Sequence, residues 1–419
     1  MEIQIFYVNS CLLNGYIVSL FSGKCLFNRF FYLYFCMVNI YISMMNKSFI
    51  TIAWIMMCLT SCSLTKKDDL ISYSLEDVSA INVDATYPLD SLVKKMDVIP
   101  LETTDSCLLD DVALLEESED YFFIYSEKTS QLYRFAKDGK NMKTISGKGQ
   151  GPQEYLSIKR MMLDNESKEL YIMDYLGRKM KIFSFDGEYL RSLPLPEDFA
   201  YTNCFLSLRE KAIYYVSSYN SVQMDFLKYD LETSEFIAYS HREREMDKGE
   251  FFIGQTLFCD TEDYPLVYHY FNDTVFQVTP EGLFPHHLLK LGERALSFDD
   301  FKADAFTNPR PQYHKIQVWG MEIVKNKVCI FYSLSRFKKE RGSVPLMAVY
   351  TLGEKTLSPH VNWVSEQFLS IEQGARFHVG YQRTSLLRSC FPESLDEEFR
   401  KKYKIHEDDN PVILKYHLK

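Results

Sequence analysis

Residues 121–139 read YFFIYSEKTSQLYRFAKDG, two apolar strands that are separated by a polar turn and followed by an Asp-Gly turn. The same pattern returns at residues 170–187, LYIMDYLGRKMKIFSFDG, so that Gly187 follows Gly139 by 48 residues. Asp-Gly between alternating apolar residues is a strong hairpin signal, because both turn positions favour positive φ. The two copies therefore predict a repeated unit of short antiparallel strands.

Weaker copies of the unit follow along the chain. Their strand pairs are predicted at residues 212–216 with 226–230, 265–270 with 275–278, and 327–332 with 346–350. A repeat of about 40–50 residues with three or four short strands is typical of propeller blades. A sixth blade would form from both ends, with residues 411–418 in one sheet with strands from about 70–102, which removes exposed edges. We therefore predict an all-β, six-bladed β-propeller over residues 70–419, with a pair of β-sandwiches as the alternative.

Two short helical insertions are expected between strands. Ser394 and Glu397 have the spacing of a capping box, which predicts a helix to about Lys402. A second helix is predicted at residues 298–306, just before the Pro309-Arg310-Pro311 breaker.

The N-terminal region reads as a targeting segment rather than as part of the fold. Residues 44–61 combine a basic start, an apolar run and small residues before Cys62, the order expected of a signal peptide. Leu59-Thr60-Ser61-Cys62 resembles the bacterial lipobox, which implies cleavage before Cys62, lipidation of Cys62 and attachment to the membrane through that lipid. An uncleaved anchor helix is the alternative.

The segments on either side of this signal carry further expectations. Residues 1–43 fit poorly ahead of it, which predicts an over-extended start with initiation at Met44 or Met45; an extra membrane segment is the alternative. Residues 62–69 would form a lipidated tether. Within the tether, Lys67-Asp68-Asp69 resembles the export tag of Bacteroidetes lipoproteins, which implies an outer-membrane lipoprotein displayed on the cell surface. An ordinary charged tether would look the same.

Charge and cysteine content exclude some partners. The formal net charge is −10, and without residues 1–62 it becomes 44 − 56 = −12, so a nucleic-acid partner is not expected. The five cysteines after Cys62 are widely spaced, and no Cys-x-x-Cys pair suggests a zinc site. We predict that most of them are buried as small apolar side chains.

A glycine-rich run, Gly147-x-Gly149-x-Gly151-Pro152-x-Glu154-Tyr155, superficially suggests a phosphate loop. Its glycines lack the spacing of either phosphate-binding motif, and Pro152 removes an amide donor. The run is better explained as a tight connection between blades.

This run, the Asp-Gly hairpin before it and the final strand from Asn410 resemble the six-bladed β-propeller lipoproteins of Bacteroidetes. Those proteins are similar to NHL-type propellers. The resemblance covers roughly residues 70–419 and implies architecture and envelope location, but no activity.

No catalytic constellation is visible in the sequence. No His-Glu-x-x-His or Gly-x-Ser-x-Gly motif occurs, so neither catalytic residues, metal ligands nor a cofactor are assigned. His286 and His287 are adjacent on a predicted strand and are expected to point apart. Ligand-binding residues cannot be named from the sequence.

These features favour a non-enzymatic binding or scaffold protein that engages a glycan, peptide or envelope protein through loops around the propeller axis. The alternative is a propeller enzyme of the metal-dependent lactonase or lyase type with its site at that axis. A structural envelope protein without a small ligand is the third reading.

Overall fold

The computed structural model describes residues 70–75, 86–87, 92–197, 201–217, 219–220, 224–241, 252–253, 256–259, 264–269, 273–279, 282–295, 315–335, 343–352, 362–363 and 377–419. The signal peptide, Cys62, the tether up to residue 69 and the predicted helix at 298–306 lie outside them. The chain forms two compact units. The larger is Ile71–Val278 with Phe284–Lys419, and the other is Met1–Leu70 with Thr279–Leu283.

The fold is a six-bladed β-propeller. Three strands precede the first complete blade, and they are β1 Ile71–Ser74, β2 Thr86–Tyr87 and β3 Val93–Pro100. Blade 1 consists of β4 Leu114–Glu117, β5 Tyr121–Ser126, β6 Gln131–Ala136 and β7 Lys143–Gly147. Blade 2 consists of β8 Ile158–Asp164, β9 Glu169–Asp174, β10 Lys179–Ser184 and β11 Tyr189–Pro194. Blade 3 consists of β12 Tyr201–Ser207, β13 Ala212–Ser217, β15 Met224–Asp230 and β16 Phe236–His241.

Blade 4 consists of β18 Thr256–Cys259, β19 Leu266–His269, β20 Thr274–Thr279 and β21 Gly282–Lys290. Blade 5 consists of β22 Ile316–Val324, β23 Lys327–Ser335 and β24 Ser343–Thr351. Blade 6 consists of β26 His378–Val379, β27 Ser385–Cys390, β28 Val412–Leu418 and β3. Two further pairs are β14 Tyr219–Asn220 with β17 Phe252–Ile253, and β2 with β25 Asn362–Trp363. The repeats predicted from the sequence fall in blades 1 to 5.

The hydrophobic core lies between neighbouring blades. Phe123 of blade 1 packs with Leu170 of blade 2, and Met173 of blade 2 packs with Cys204 of blade 3. Equivalent apolar clusters fill the interfaces of blades 4 with 5, 5 with 6, and 6 with 1. Because a fully buried Leu or Phe contributes about 1.5–3 kcal/mol, each blade is stabilised mainly by its neighbours.

Both ends of the described chain meet in blade 6. Strand β28 pairs antiparallel with β3, from Val412 opposite Pro100 to Leu418 opposite Val93. The prediction of a shared terminal sheet is confirmed for these strands and is wrong for β1, which pairs in parallel with β21 of blade 4. Strand β1 is held there because the fully buried Tyr73 packs on Tyr350 of blade 5, at 4.7 Å between ring centroids.

The Asp-Gly turns differ in detail from the prediction. Gly139 and Gly187 have φ of +80° and +82°, but Asp138 and Asp186 are not among the residues with positive φ. In the first turn Gly139 N–H donates to Ala136 O (2.9 Å) and Ala136 N–H donates to Lys140 O (2.7 Å). This is the geometry of a turn followed by a single left-handed glycine, for which only the glycine needs positive φ.

Within the described residues, the α-helix α1 Glu397–Tyr403 confirms the helical insertion predicted near the C-terminus. Its start differs from the prediction, because the N-cap is Asp396, whose Oδ1 accepts from Phe399 N–H (2.7 Å). Ser394 belongs instead to a preceding 3-10 helix, Pro392–Ser394. Two more 3-10 helices are Gly292–Arg294 and Tyr381–Arg383.

Candidate functional site at the propeller axis

First strands of neighbouring blades contact one another, as the strands nearest a propeller axis do, and their two ends differ in their connections. Where first strands turn into second strands, the connections of blades 1, 2, 3, 5 and 6 are only residues 118–120, 165–168, 208–211, 325–326 and 380–384. We call this the turn end. The connections that lead into the first strands are residues 101–113, 148–157, 195–200, 242–255, 291–315 and 352–377. We call this opposite edge the loop end.

A β-bulge recurs near the loop end of three first strands. The register shifts between Ile158 and Arg160 in β8, between Tyr201 and Asn203 in β12, and between Val318 and Gly320 in β22. The shift falls in each case opposite the fifth and sixth residues of the second strand. Bulges re-aim side chains and are over-represented beside active sites, so this end of the axis is locally specialised.

Strand register also defines one layer of residues around the axis. In all six blades, one residue of the first strand pairs with the third residue of the second strand, and these residues are Glu116, Met162, Phe205, Leu257, Glu322 and His378. Blades 5, 6 and 1 are consecutive in the ring and contribute Glu322, His378 and Glu116. Two carboxylates and an imidazole therefore occupy equivalent positions in three neighbouring blades.

Other contacts limit what this layer can do chemically. Glu322 lies 3.5 Å from the Arg383 guanidinium of blade 6, and Arg383 Nε donates to Ile323 O (2.9 Å). Among the residues that the structure describes, no group of three His, Cys, Asp or Glu side chains is arranged to hold a metal ion. The three polar members of the layer therefore form no preformed metal cage in the described part of the chain, and its other members are apolar.

The glycine-rich run forms the connection from blade 1 to blade 2, as its sequence predicted. Gly149 N–H donates to Tyr155 O (2.9 Å), and Gly151 N–H donates to Glu154 Oε2 (2.8 Å). The buried Lys181 ammonium donates to the carbonyls of Gly151, Pro152 and Glu154. Because these amides and carbonyls are satisfied within the protein, the run is a structural connection and not an anion cradle.

A charged cluster at the turn end joins blade 1 to blade 6. The Glu117 side chain is inaccessible to solvent, and its Oε1 accepts from Lys137 and from Lys415 (2.6 Å). Its Oε2 accepts from Tyr381 N–H (2.7 Å), beside Gly380. Burial lowers the pKa of Lys137, although the hydrogen bond to Glu117 opposes this shift. The cluster has one acid for two bases and cross-links the blades formed by the two ends of the chain.

The adjacent histidines of blade 4 do not point apart as expected. The rings of His286 and His287 meet edge to face at 4.2 Å between centroids. His287 is completely buried against Tyr73 of β1, at 5.2 Å, and neither of its ring nitrogens has a hydrogen-bond partner. Burial lowers the pKa of His287 from 6.5 to about 3, so the ring is neutral in the folded protein.

Replacing His287 with leucine should make the protein less sensitive to acid. Because its pKa is lower in the folded protein than in the unfolded chain, the unfolded chain takes up the proton first. As far as His287 is concerned, the free energy of unfolding has its full value above pH 6.5. It falls as the pH drops toward 3, by at most about 1.4 kcal/mol per pH unit. Urea unfolding at a series of pH values should show this slope reduced in H287L and unchanged in H406L, since His406 is exposed. Equal slopes in both variants would contradict the assignment.

The described cysteines behave as the sequence predicted. Cys107, Cys204, Cys329 and Cys390 are free thiols and buried, while the side chain of Cys259 lies outside the described residues. No helix in the described parts of the chain is long and apolar enough to span a membrane.

Neither the axial layer nor the Glu117 cluster was found from the sequence, because each is defined by pairing between strands that are distant along the chain. The repeat offered one usable signal, since Glu117 occupies a position where blades 2 and 3 have leucine.

The architecture and the axial site define the chain as a six-bladed β-propeller protein. It belongs to the family described as "Domain of unknown function (DUF4934)", whose family model matches residues 74–417. No protein with a curated description matches the sequence.

Two solved structures support this fold. A Bacteroides fragilis protein that is assigned as exported is 19% identical, with a TM-score of 0.63 over 83% of this chain and 99% of that one. A member of the DUF4221 family from Bacteroides vulgatus is 11% identical, with a TM-score of 0.50 over 78% of this chain and 97% of that one. The NHL-type resemblance stays a prediction.

Proposed function

We propose that the protein is a lipid-anchored binding module of the cell envelope, which engages a glycan, a peptide or an envelope protein through the loop end of its propeller. The anchor would be the lipid on Cys62, with the protein in the outer membrane and displayed at the cell surface. The lipobox-like residues 59–62 and the exported relative support this location.

The difference between the two ends of the axis carries the proposal. At the turn end, five of the connections between first and second strands are only two to five residues long. At the loop end, the connections into the first strands of blades 1 and 2 are residues 101–113 and 148–157, which are thirteen and ten residues long. Binding residues are concentrated on loops that a rigid scaffold positions, and the loop end of this propeller has that arrangement. The negative net charge disfavours nucleic acid as the ligand.

Binding is tested by applying the whole chain, purified in a non-ionic detergent, to an array of glycans and peptides. We expect saturable binding to a small set of chemically related ligands. An array on which the folded protein shows no selective binding would contradict the proposal.

The location is tested separately in cells. Radiolabelled palmitate should be incorporated by the wild-type protein and not by C62A, and protease added to intact cells should digest the wild-type protein. A protein that is unlabelled, or protected until the outer membrane is broken, would contradict the anchor or the surface display, respectively.

One observation favours a second function, that of a propeller enzyme with a metal at the axis. The carboxylates of Glu116 and Glu322 and the imidazole of His378 occupy equivalent positions in three consecutive blades, although within the described residues they are not arranged as a metal site. Elemental analysis of protein purified without a metal-affinity tag distinguishes the two functions. One equivalent of metal, lost in a Glu116→Gln variant, would favour the enzyme.

A further inference from the structure

We propose that Arg160, together with Lys159, binds an oxyanion group of the ligand at the loop end of the axis. The inference rests on the binding function proposed above and adds the chemistry of the ligand, which is a carboxylate, sulfate or phosphate group.

Arg160 lies on β8, directly after the bulge, and pairs with Met173. Its Nε is buried, and within the described part of the chain it has no hydrogen-bond partner or ion pair. Two described arginines show the contrast: Arg191 forms two bonds to Glu169 (2.6 and 2.7 Å), and Arg178 donates to the carbonyls of Pro196 and Glu197. The Nε atoms of Arg134 and Arg400 are also buried without a partner, but a terminal nitrogen of each is paired with a carboxylate. Arg160 is therefore a cation whose balancing charge the described protein does not supply.

The surroundings of Arg160 are poor in polar groups. The guanidinium faces blade 3, where its charge opposes the rise in the pKa of the wholly buried Cys204 thiol. The Cys204 sulfur lies 3.6 Å from the Met173 sulfur and 4.0 Å from the Met162 sulfur. Placing an unpaired cation beside such groups is unfavourable, and an anion from outside would offset that cost.

The charge is not required by the blade repeat. The residues that pair with the fifth residue of the second strand are Leu114 in blade 1, Arg160 in blade 2, Asn203 in blade 3 and Gly320 in blade 5. Of these four positions, only the one in blade 2 carries a cation. A structural need common to the blades would not produce this pattern, whereas a ligand that approaches blade 2 would.

Lys159 adds a second positive charge at the same place. It is the extra residue of the bulge, its side chain is exposed, and it forms no ion pair with any residue that the structure describes. Two adjacent cations on a chain of net charge −10 make a local positive site that attracts anions. Since Nε is buried, the terminal nitrogens of Arg160 are the donors available, and their planar fork suits two oxygens of one oxyanion.

The test is isothermal titration of the whole chain, in non-ionic detergent, with sodium sulfate, inorganic phosphate, sodium acetate and sodium glucuronate, each against sodium chloride of equal ionic strength. We expect saturable binding of at least one of these anions, with affinity reduced at least about tenfold in R160M. The control R191M removes an arginine that is already paired with Glu169, and its affinity should equal that of the wild type. Preference for sulfate or phosphate would identify a tetrahedral group, and preference for acetate or glucuronate a carboxylate.

A second measurement separates binding from folding. In chloride alone, R160M should melt at or above the temperature of the wild type, because an unpaired, partly buried charge has been removed. A clearly lower melting temperature would show that Arg160 is structural and would overturn the proposal, as would the same anion affinity in wild type and R160M. Array ligands bound equally by wild type and R160M would overturn the anion site and leave the binding module standing. Anion binding that depends on Arg160, without binding of any array ligand, would contradict the binding module and leave the anion site standing.

Discussion

Replacing Glu117 with alanine should lower the free energy of unfolding by about 3–5 kcal/mol. The carboxylate is inaccessible to solvent and accepts hydrogen bonds from both Lys137 and Lys415. Its removal leaves two partly buried ammonium groups close together, without the carboxylate to which both are hydrogen-bonded. The interface of blades 1 and 6 should therefore open first. Urea unfolding monitored by tryptophan fluorescence measures the decrease in the free energy of unfolding.

A compensated variant separates charge from packing. Glu117 pairs with Phe122 as Leu163 pairs with Leu170 in blade 2 and Leu206 with Ile213 in blade 3. A triple variant, Glu117→Leu with Lys137→Met and Lys415→Met, should therefore recover most of the stability, because it replaces the ion cluster with apolar side chains. If E117A is as stable as the wild type, or if the triple variant is no more stable than E117A, this account of the Glu117 cluster between blades 1 and 6 is wrong.

Replacing Asn410 with alanine should lower the free energy of unfolding by roughly 3 kcal/mol, because three hydrogen bonds of its side chain, two of them buried, are lost together. Asn410 Oδ1 accepts from Leu109 N–H (2.7 Å), and its Nδ2 donates to the carbonyls of Glu102 and Cys107 (both 2.8 Å). These bonds tie the loop after β3 to the start of β28, so the amide holds together the two ends that close the ring.

The control for Asn410 is Asn326→Ala, in the exposed turn between β22 and β23, which should change stability by no more than about 0.5 kcal/mol. Thermal unfolding of both variants should show a clear drop in melting temperature for N410A alone. Equal melting temperatures would contradict the role of Asn410 in ring closure.

Local signals explain why much of the fold could be predicted. The Asp-Gly turns at Gly139 and Gly187, with the alternating apolar and polar residues around them, define blades 1 and 2. The regular spacing of similar strand pairs extends the pattern to blades 3 to 5. Closure through residues 411–418 was predictable because a propeller needs its last sheet completed. The position of β1 was not predictable, because nothing in Ile71–Ser74 indicates that its partner is β21 of blade 4 rather than β28.

The candidate sites could not be predicted for a related reason. Glu117 and Lys415 are 298 residues apart along the chain, and Leu109 and Asn410 are 301 apart. Their contacts exist only once the ring is closed. The axial layer of Glu116, Glu322 and His378 likewise requires the register of three blades, which no local pattern contains. Arg160 is conspicuous only when its lack of a partner is seen.

The central claim, that ligands bind at the loop end, is tested most directly by blocking each end in turn. Leu176, 62% exposed, lies in the connection between β9 and β10 at the loop end, and Leu208, 42% exposed, lies in a turn at the turn end. L176C and L208C can each be coupled to a maleimide polyethylene glycol, since the four described native thiols are buried. Binding to the ligands found on the array should be lost after coupling at L176C and kept after coupling at L208C. Loss at L208C with binding kept at L176C would contradict the claim.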